Sequence, residues 1–427
     1  MKEKISPGDE VKIFLKNDQI LEGIVMPCQE KDFLLIKLRN GYNIGISKKE
    51  IKNIEKIGKQ KLEKFPETKI ESKVNKTIVV IIAGGTISSR VDYTTGAVSS
   101  LMKPENLFFL VPKLGEIANI KIDFAFSILS ENITPKHWKI LVEKCEKWMN
   151  DDSIDGIIIT HGTDTLHYTS AALSFMLKNI NKPIVLTYAQ RSSDRPSTDA
   201  ILNLIASSYV ALSDIAEVLV VGHGSIDDDY CYVLRGTKVR KMHSTRRDTF
   251  RPINCLPIAK VWGDGKIEFI SDYKKKQEVK EKPKADFAFN EKVALIKFYP
   301  NADSSILDFY YKKGYKGIVI EATGMGHVSN EGKNNWLKKI RKLSKKMLIC
   351  FAPQTIYGSL NQYVYSTARE LTAANVLYLK DILPETAYVK LGYVLGKTRD
   401  LKKAREMMLM NIANEFSDRE IPESFLF

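Results

Sequence analysis

Cysteine is scarce in this chain: there are five in 427 residues, at positions 28, 145, 231, 255 and 350, with no CxxC pair. That scatter predicts neither a disulfide framework nor a thiolate metal site. The six histidines show no HExxH spacing, so the expected metal content is none. No apolar run approaches the roughly 18 residues that a membrane span requires. The opening MKEKISPGDEVK is too charged to read as a signal peptide, and the expected location is the cytoplasm. The Gly84-Gly85 pair lacks the third glycine of a GxGxxG loop, which makes a dinucleotide-cofactor reading weak. Tandem repeats are also missing.

What the chain does have is a core-forming composition, 44% hydrophobic and 27% charged, together with a net charge of +14. An excess of lysine and arginine attracts polyanions. Runs such as DYKKKQEVKEKPK and WLKKIRKLSKKM nevertheless read first as solvated linkers or exposed helix faces.

Periodicity divides the chain. DEVKIFL, ILEGIVM, DFLLIKL and YNIGISK are short strands separated by turn signals at Asn17-Asp18, Pro27 and Asn40-Gly41, which predicts a small β barrel over residues 1–56. Residues 57–76 are polar and lysine-rich and read as a linker. TIVVIIAGG, DGIIITHG, KPIVLTY and AEVLVVGHG are apolar β-branched runs alternating with helix-like stretches, the pattern of a parallel sheet covered on both faces. This first α/β domain spans 77–270. After a second lysine-rich linker at 271–285, KVALIKFYP, GIVIEATG and KMLICFAPQ repeat the pattern in a smaller α/β domain, 286–427. The fold class is therefore α/β, a doubly wound parallel sheet in two domains behind a β barrel.

In such sheets, chemistry collects at the carboxyl ends of the strands. The glycine turn at Gly84-Gly85 presents Thr86. Thr163, Asp164 and Thr165 crowd the start of the helix-like LHYTSAALSFML, although capping needs only one of them. A surplus of polar groups at a helix start suits a site for a polar ligand. A lysine in RGTKVRKMHSTRRDTFRP could serve a threonine hydroxyl, which needs a nearby base before it can attack an amide. Burial would favour the neutral lysine and a nearby aspartate the charged one.

GGTISSRVDY and THGTDT resemble the signature segments of the L-asparaginase and glutaminase amidohydrolases. The resemblance implies a two-domain α/β fold with twin catalytic threonines. On it, Thr86 is the first nucleophile, Tyr93 assists it, and Thr163, Asp164 and Lys241 form the second group, Lys241 lying nine residues before Phe250. Ser130 and Glu131 fall where the family binds the amino-acid head of its substrate. Hydroxyl chemistry alone leaves open which threonine attacks first. Two positions depart from the pattern: His327 stands where bacterial asparaginases carry an asparagine, and Ala83 replaces a small hydroxyl residue.

The N-terminal barrel, AQRSSDRPSTDA, APQTIYGSLN and DILPETAYVKLGYVLG resemble one branch more closely, the archaeal glutamyl-tRNA(Gln) amidotransferase D subunits, over essentially the whole chain. That likeness implies a glutaminase that supplies ammonia for converting Glu-tRNA(Gln) to Gln-tRNA(Gln). It also implies a homodimer within a heterotetramer with the amidotransferase E subunit, which would hold the tRNA and use ATP and Mg2+, with no cofactor bound by this chain. The competing expectations are a free-standing L-asparaginase, and an RNA-binding or scaffolding protein with an inactive enzyme domain.

Overall fold

Alternate residues of the strand Thr77–Gly84 enter two different apolar cores: Val79 and Ile81 face one, Ile78, Val80 and Ile82 the other. A strand buried on both faces cannot alternate apolar with polar residues, which is why TIVVIIAG reads as a continuous apolar run. The computed structural model describes residues 5–28, 30–40, 42–59, 74–85, 87, 90–91, 98–99, 111, 113–192, 195 and 197–427.

Thr77–Gly84 lies next to the edge of an eight-stranded sheet. Its spatial order is Ile267–Phe269, Ala259–Trp262, Tyr230–Arg235, Val218–His223, Ile184–Thr187, Gly156–Thr160, Thr77–Gly84, Asn119–Ile128. From Val218–His223 to Asn119–Ile128 all neighbours are parallel. The first three strands are antiparallel, so the sheet is mixed rather than wholly parallel as the sequence pattern predicts. The acidic loop after His223 is short enough to fold back as a hairpin, and no helix intervenes to carry a crossover. Helices Pro135–Met149 and Leu166–Met176 cover one face and Ala200–Ala211 the other.

A second sheet holds Val293–Lys297, Gly317–Ala322, Leu348–Pro353 and Leu377–Tyr378, all parallel and in chain order. Helices Ser305–Lys312, Trp336–Leu343 and Ser366–Ala373 pack on one side of it. On the other side, Pro384–Lys397 contributes to the core that also holds Trp138, Leu173 and Phe175, so one apolar layer is shared by both sheets. Lys238 and Asp381 form a buried ion pair across this boundary, joined by Ser417, whose Oγ is 2.8 Å from Lys238 Nζ.

Residues 271–285 are pinned rather than free. Ala216 N donates to Lys274 O at 2.8 Å, Lys276 Nζ donates to Asp155 O at 3.0 Å, and Lys284–Ala285 pairs with Leu177–Lys178. The Lys276 side chain anchors this stretch through a backbone carbonyl, a use that composition does not reveal.

The N-terminal unit is an antiparallel sheet in the order Asn43–Ser47, Phe33–Leu38, Ile20–Met26, Asp9–Leu15, Ile51–Lys59. Its two end strands are joined by a 3-10 turn of only three residues, Lys48–Glu50, which spans roughly 6 Å at about 2 Å per residue. The sheet therefore curls until its ends approach, around Val11, Ile13, Val25, Ile36 and Ile46. Its last strand runs three residues past the border expected at residue 56, because Asp9 at the start of Asp9–Leu15 still pairs with Lys59.

Candidate active site

Three carboxyl-terminal strand ends converge. Gly84 and Gly85 both have positive φ, 91° and 92°. A Cβ on Gly84 would lie 2.5 Å from Ile128 O, and one on Gly85 would lie 2.5 Å from the carbonyl carbon and oxygen of His161. Only glycine suits both the backbone conformation and the close approach. Thr86 and Tyr93, the expected nucleophile and its assistant, lie outside the described residues. Ser130 opens the turn after Asn119–Ile128 and is buried against Gly162, where an added Cβ would come 2.7 Å from the serine Cβ. Glu131 beside it is exposed.

The crowd of polar residues before Leu166–Met176 is not used for capping. Thr165 is the N-cap residue, yet its side chain makes no capping hydrogen bond; the hydroxyl donates to Ser130 O at 2.6 Å. Thr163 and Asp164 face Lys241, whose Nζ donates to Thr163 Oγ1 at 2.8 Å and to Asp164 Oδ1 at 2.7 Å. Lys241 ends the short strand Val239–Lys241, which pairs with Phe250–Pro252 so that Lys241 is directly opposite Phe250. The nine-residue interval in the sequence is thus a hairpin. Its far end is tied down by Arg247, which donates to Asp228 Oδ1 at 2.8 Å, and by Tyr188, whose hydroxyl donates to Arg247 O at 3.1 Å.

His161 lies inside the THGTDT segment, yet sequence reasoning assigns it no role. It is buried, and burial pushes its imidazole down to about 4. Its Nδ1 is 2.7 Å from Gly162 O, which can only accept, so Nδ1 carries the proton. Nε2, 2.9 Å from Thr169 Oγ1, then accepts from that hydroxyl, which in turn accepts from Trp138 Nε1 at 3.0 Å. The chain Trp138, Thr169, His161 fixes the Gly162 carbonyl and with it the peptide leading into Thr163. His167 is also buried and pushed down to about 3 by burial, and packs against Tyr168 and Phe250.

The motif AQRSSDRPSTDA acquires a structural reading as well. Asp199 is buried and accepts from Gln190 N at 2.9 Å and Arg191 N at 3.0 Å, closing the loop after Ile184–Thr187; burial raises its carboxyl above the usual range. His327 sits beyond the end of Gly317–Ala322, its ring edge-on to Tyr365 at 5.0 Å, and among the described residues no hydrogen bond links it to the Lys241 group. Among the described residues no group of three His, Cys, Asp or Glu could hold a metal, and no helix is long and apolar enough to cross a membrane.

The geometry is that of a hydroxyl and carboxylate gripped by one lysine beside a glycine turn. Comparisons with known proteins give the family and the fold. Residues 77–275 match the family model "Asparaginase, N-terminal", and residues 292–408 match "Glutaminase/Asparaginase C-terminal domain". Residues 5–57 match "GatD N-terminal domain". The D subunit of glutamyl-tRNA(Gln) amidotransferase from Pyrococcus furiosus is 48% identical over 433 residues, covering 99% of this chain and 97% of that protein. The chain belongs to the family of glutamyl-tRNA(Gln) amidotransferase D subunits. Within that family the Methanopyrus kandleri protein is 41% identical, covering 99% of this chain and 94% of that one. Among solved structures, the thermostable L-asparaginase from Thermococcus kodakarensis superposes with a TM-score of 0.72 at 28% identity, covering 80% of this chain and all of that one. L-asparaginase I from Vibrio cholerae, at 23% identity and a TM-score of 0.70, shares the fold.

Proposed function

We propose that the chain is the glutaminase component of a tRNA-dependent amidotransferase, hydrolysing glutamine and supplying the ammonia that converts Glu-tRNA(Gln) to Gln-tRNA(Gln). Likeness to amidotransferase D subunits over 99% of the chain supports this assignment. The observation that carries the chemistry is Lys241 held 2.8 Å from Thr163 and 2.7 Å from Asp164, where the carboxyl ends of the strands meet.

A threonine oxygen attacks the side-chain carbonyl carbon of glutamine, and its proton passes to the departing nitrogen, which leaves as ammonia. Water then cleaves the ester, releasing glutamate and restoring the hydroxyl. Thr86 is the proposed first nucleophile with Tyr93 assisting, and Thr163 the alternative. Asp164 and Lys241 pass protons to and from the reacting groups. Backbone amides at the glycine turn or at the helix start hold the oxyanion. Ser130 and Glu131 hold the amino-acid head of the substrate. The chain works in a multi-subunit complex, proposed to be a homodimer joined to the amidotransferase E subunit, which binds the tRNA and uses ATP and Mg2+; this chain needs no cofactor.

The decisive experiment measures ammonia release from glutamine and from asparagine, first with the chain alone and then with the E subunit, ATP and Glu-tRNA(Gln). Glutamine turnover that rises sharply in the full mixture is the expected result. Equal or better asparagine turnover by the chain alone would instead make it a free-standing L-asparaginase.

A further inference from the structure

Residues 305–346 carry ten Lys or Arg against three acidic residues, half of the net charge of +14 in about a tenth of the chain. The structure sorts four of these cations onto one helix face. In the helix Trp336–Leu343, Trp336, Leu337, Ile340 and Leu343 are buried. Lys338, Arg341 and Lys342 are exposed at i, i+3 and i+4, and Lys345, just past the C-cap Ser344, continues the stripe at i+7. Among the described residues none of these four side chains forms an ion pair, whereas neighbouring Lys339 is neutralised by Asp308. Favourable interaction with the helix C-terminus accounts for Arg341 and Lys342 in the last turn, but not for the rest.

The stripe continues onto aromatic ground. The adjoining helix Ser305–Lys312 and the turn after it present Phe309, Tyr311 and Tyr315, with lysines stacked over them: Lys313 6.0 Å from the Phe309 ring, Lys346 5.3 Å from Tyr311, and Lys292 5.3 Å from Tyr315. Phe309 is 51% exposed. The backbone joins these parts directly, Lys316 N donating to Lys292 O and Leu348 N to Lys316 O. Lys292, Lys316 and Met347 each immediately precede a strand, so this part of the patch lies at the amino ends of the smaller sheet, whereas the candidate active site is built at carboxyl ends of strands in the large sheet.

We infer that this face binds the phosphate backbone of RNA, with the exposed Phe309 ring beside it available to stack on a base. Unpaired cations at helical spacing next to aromatic faces suit a polyanion that also carries flat bases; an acidic protein segment would use the charge and leave the rings idle. Built from residues that are not part of the Thr163, Asp164 and Lys241 group, the surface would steer or hold an RNA without entering hydrolysis. The choice of tRNA as that RNA rests on the family reading, while the surface itself does not.

The test uses the full chain and an unmodified tRNA(Gln) transcript, with binding followed by fluorescence anisotropy across a salt series. The comparison is a variant carrying Lys338→Gln, Arg341→Gln, Lys342→Gln and Lys345→Gln, whose fold is checked by its melting temperature. Wild type should bind more weakly as salt rises, and the variant's log-log salt slope should be shallower by about 3, as expected for losing four phosphate contacts. A Phe309→Ala variant should lose severalfold in affinity at unchanged slope. Glutamine hydrolysis should be the same in all three proteins. Failure of wild type to bind, a quadruple variant that binds as wild type does, or competition by poly-glutamate equal to that by RNA would each overturn the inference. Absence of glutaminase activity in wild type would sink the family reading and leave the RNA result to stand by itself.

Discussion

Lys241 and Asp164 meet at 2.7 Å, although the lysine side chain is 10% exposed and the aspartate 63%. The pair is asymmetric: the cation is fixed inside, and the carboxylate is open to solvent. A lysine held in this way has little freedom to seek another partner, so its position relative to Thr163 is set by the fold. Lys241→Ala, Thr163→Ala and Thr86→Ala should each lower glutamine turnover at least about a hundredfold in steady-state assays. Wild-type turnover in all three would refute the site.

Gly85→Ala should damage both folding and activity. Its φ of 92° and the 2.5 Å approach to His161 mean that the new methyl must displace the backbone entering Thr163. Left-handed strain alone costs about 1–2 kcal/mol, before the clash is counted. Thermal melts should show the loss, while Gly8→Ala, where a Cβ meets nothing within 4 Å, should show only the strain.

Acid should weaken the protein through its buried histidines. His161 titrates near 4 when folded and near its ordinary value of 6.5 when unfolded, so between those values the unfolded chain binds the extra proton. Stability is therefore fully present above about 6.5 and falls as pH drops toward 4, by about 3 kcal/mol for this residue alone. Urea midpoints measured across that window should fall less steeply for His161→Asn than for wild type. Parallel curves would show that His161 is not the group responsible.

Asp381→Ala removes one partner of the buried pair and leaves the Lys238 ammonium enclosed with Ser417 as its remaining side-chain partner among the described residues. The expected cost is about 3–5 kcal/mol. Replacing both residues, as in Lys238→Met with Asp381→Leu, should recover much of it. A double variant no more stable than Asp381→Ala would mean that packing, not the stranded charge, sets the loss.

Some of this architecture is legible in the sequence because burial on two faces leaves a strong trace: Ile78 to Ile82 and Ile157 to Ile159 are apolar at every position, and each run is a strand inside the large sheet. Thr163, Asp164 and Lys241 are legible as residue types, and the structure brings them together. The hairpin that does so is not, because a three-residue strand such as Val239–Lys241 is too short for a periodic signal. His161 escapes assignment for a different reason: a neutral histidine serving a carbonyl looks, in sequence, like any core histidine. The antiparallel edge of the large sheet is hidden because its innermost strand, Tyr230–Arg235, is buried much as the parallel ones are.

The apolar layer shared by the two sheets also restricts how the enzyme can move. Pro384–Lys397 packs against Leu166–Met176 and against the small sheet at once, so swinging one α/β unit away from the other would expose oily surface on three elements and break Lys238 from Asp381. A clamshell cycle of opening and closing is thereby disfavoured. Any coupling between RNA on the basic face and hydrolysis would then have to travel through loops or added subunits rather than through domain opening.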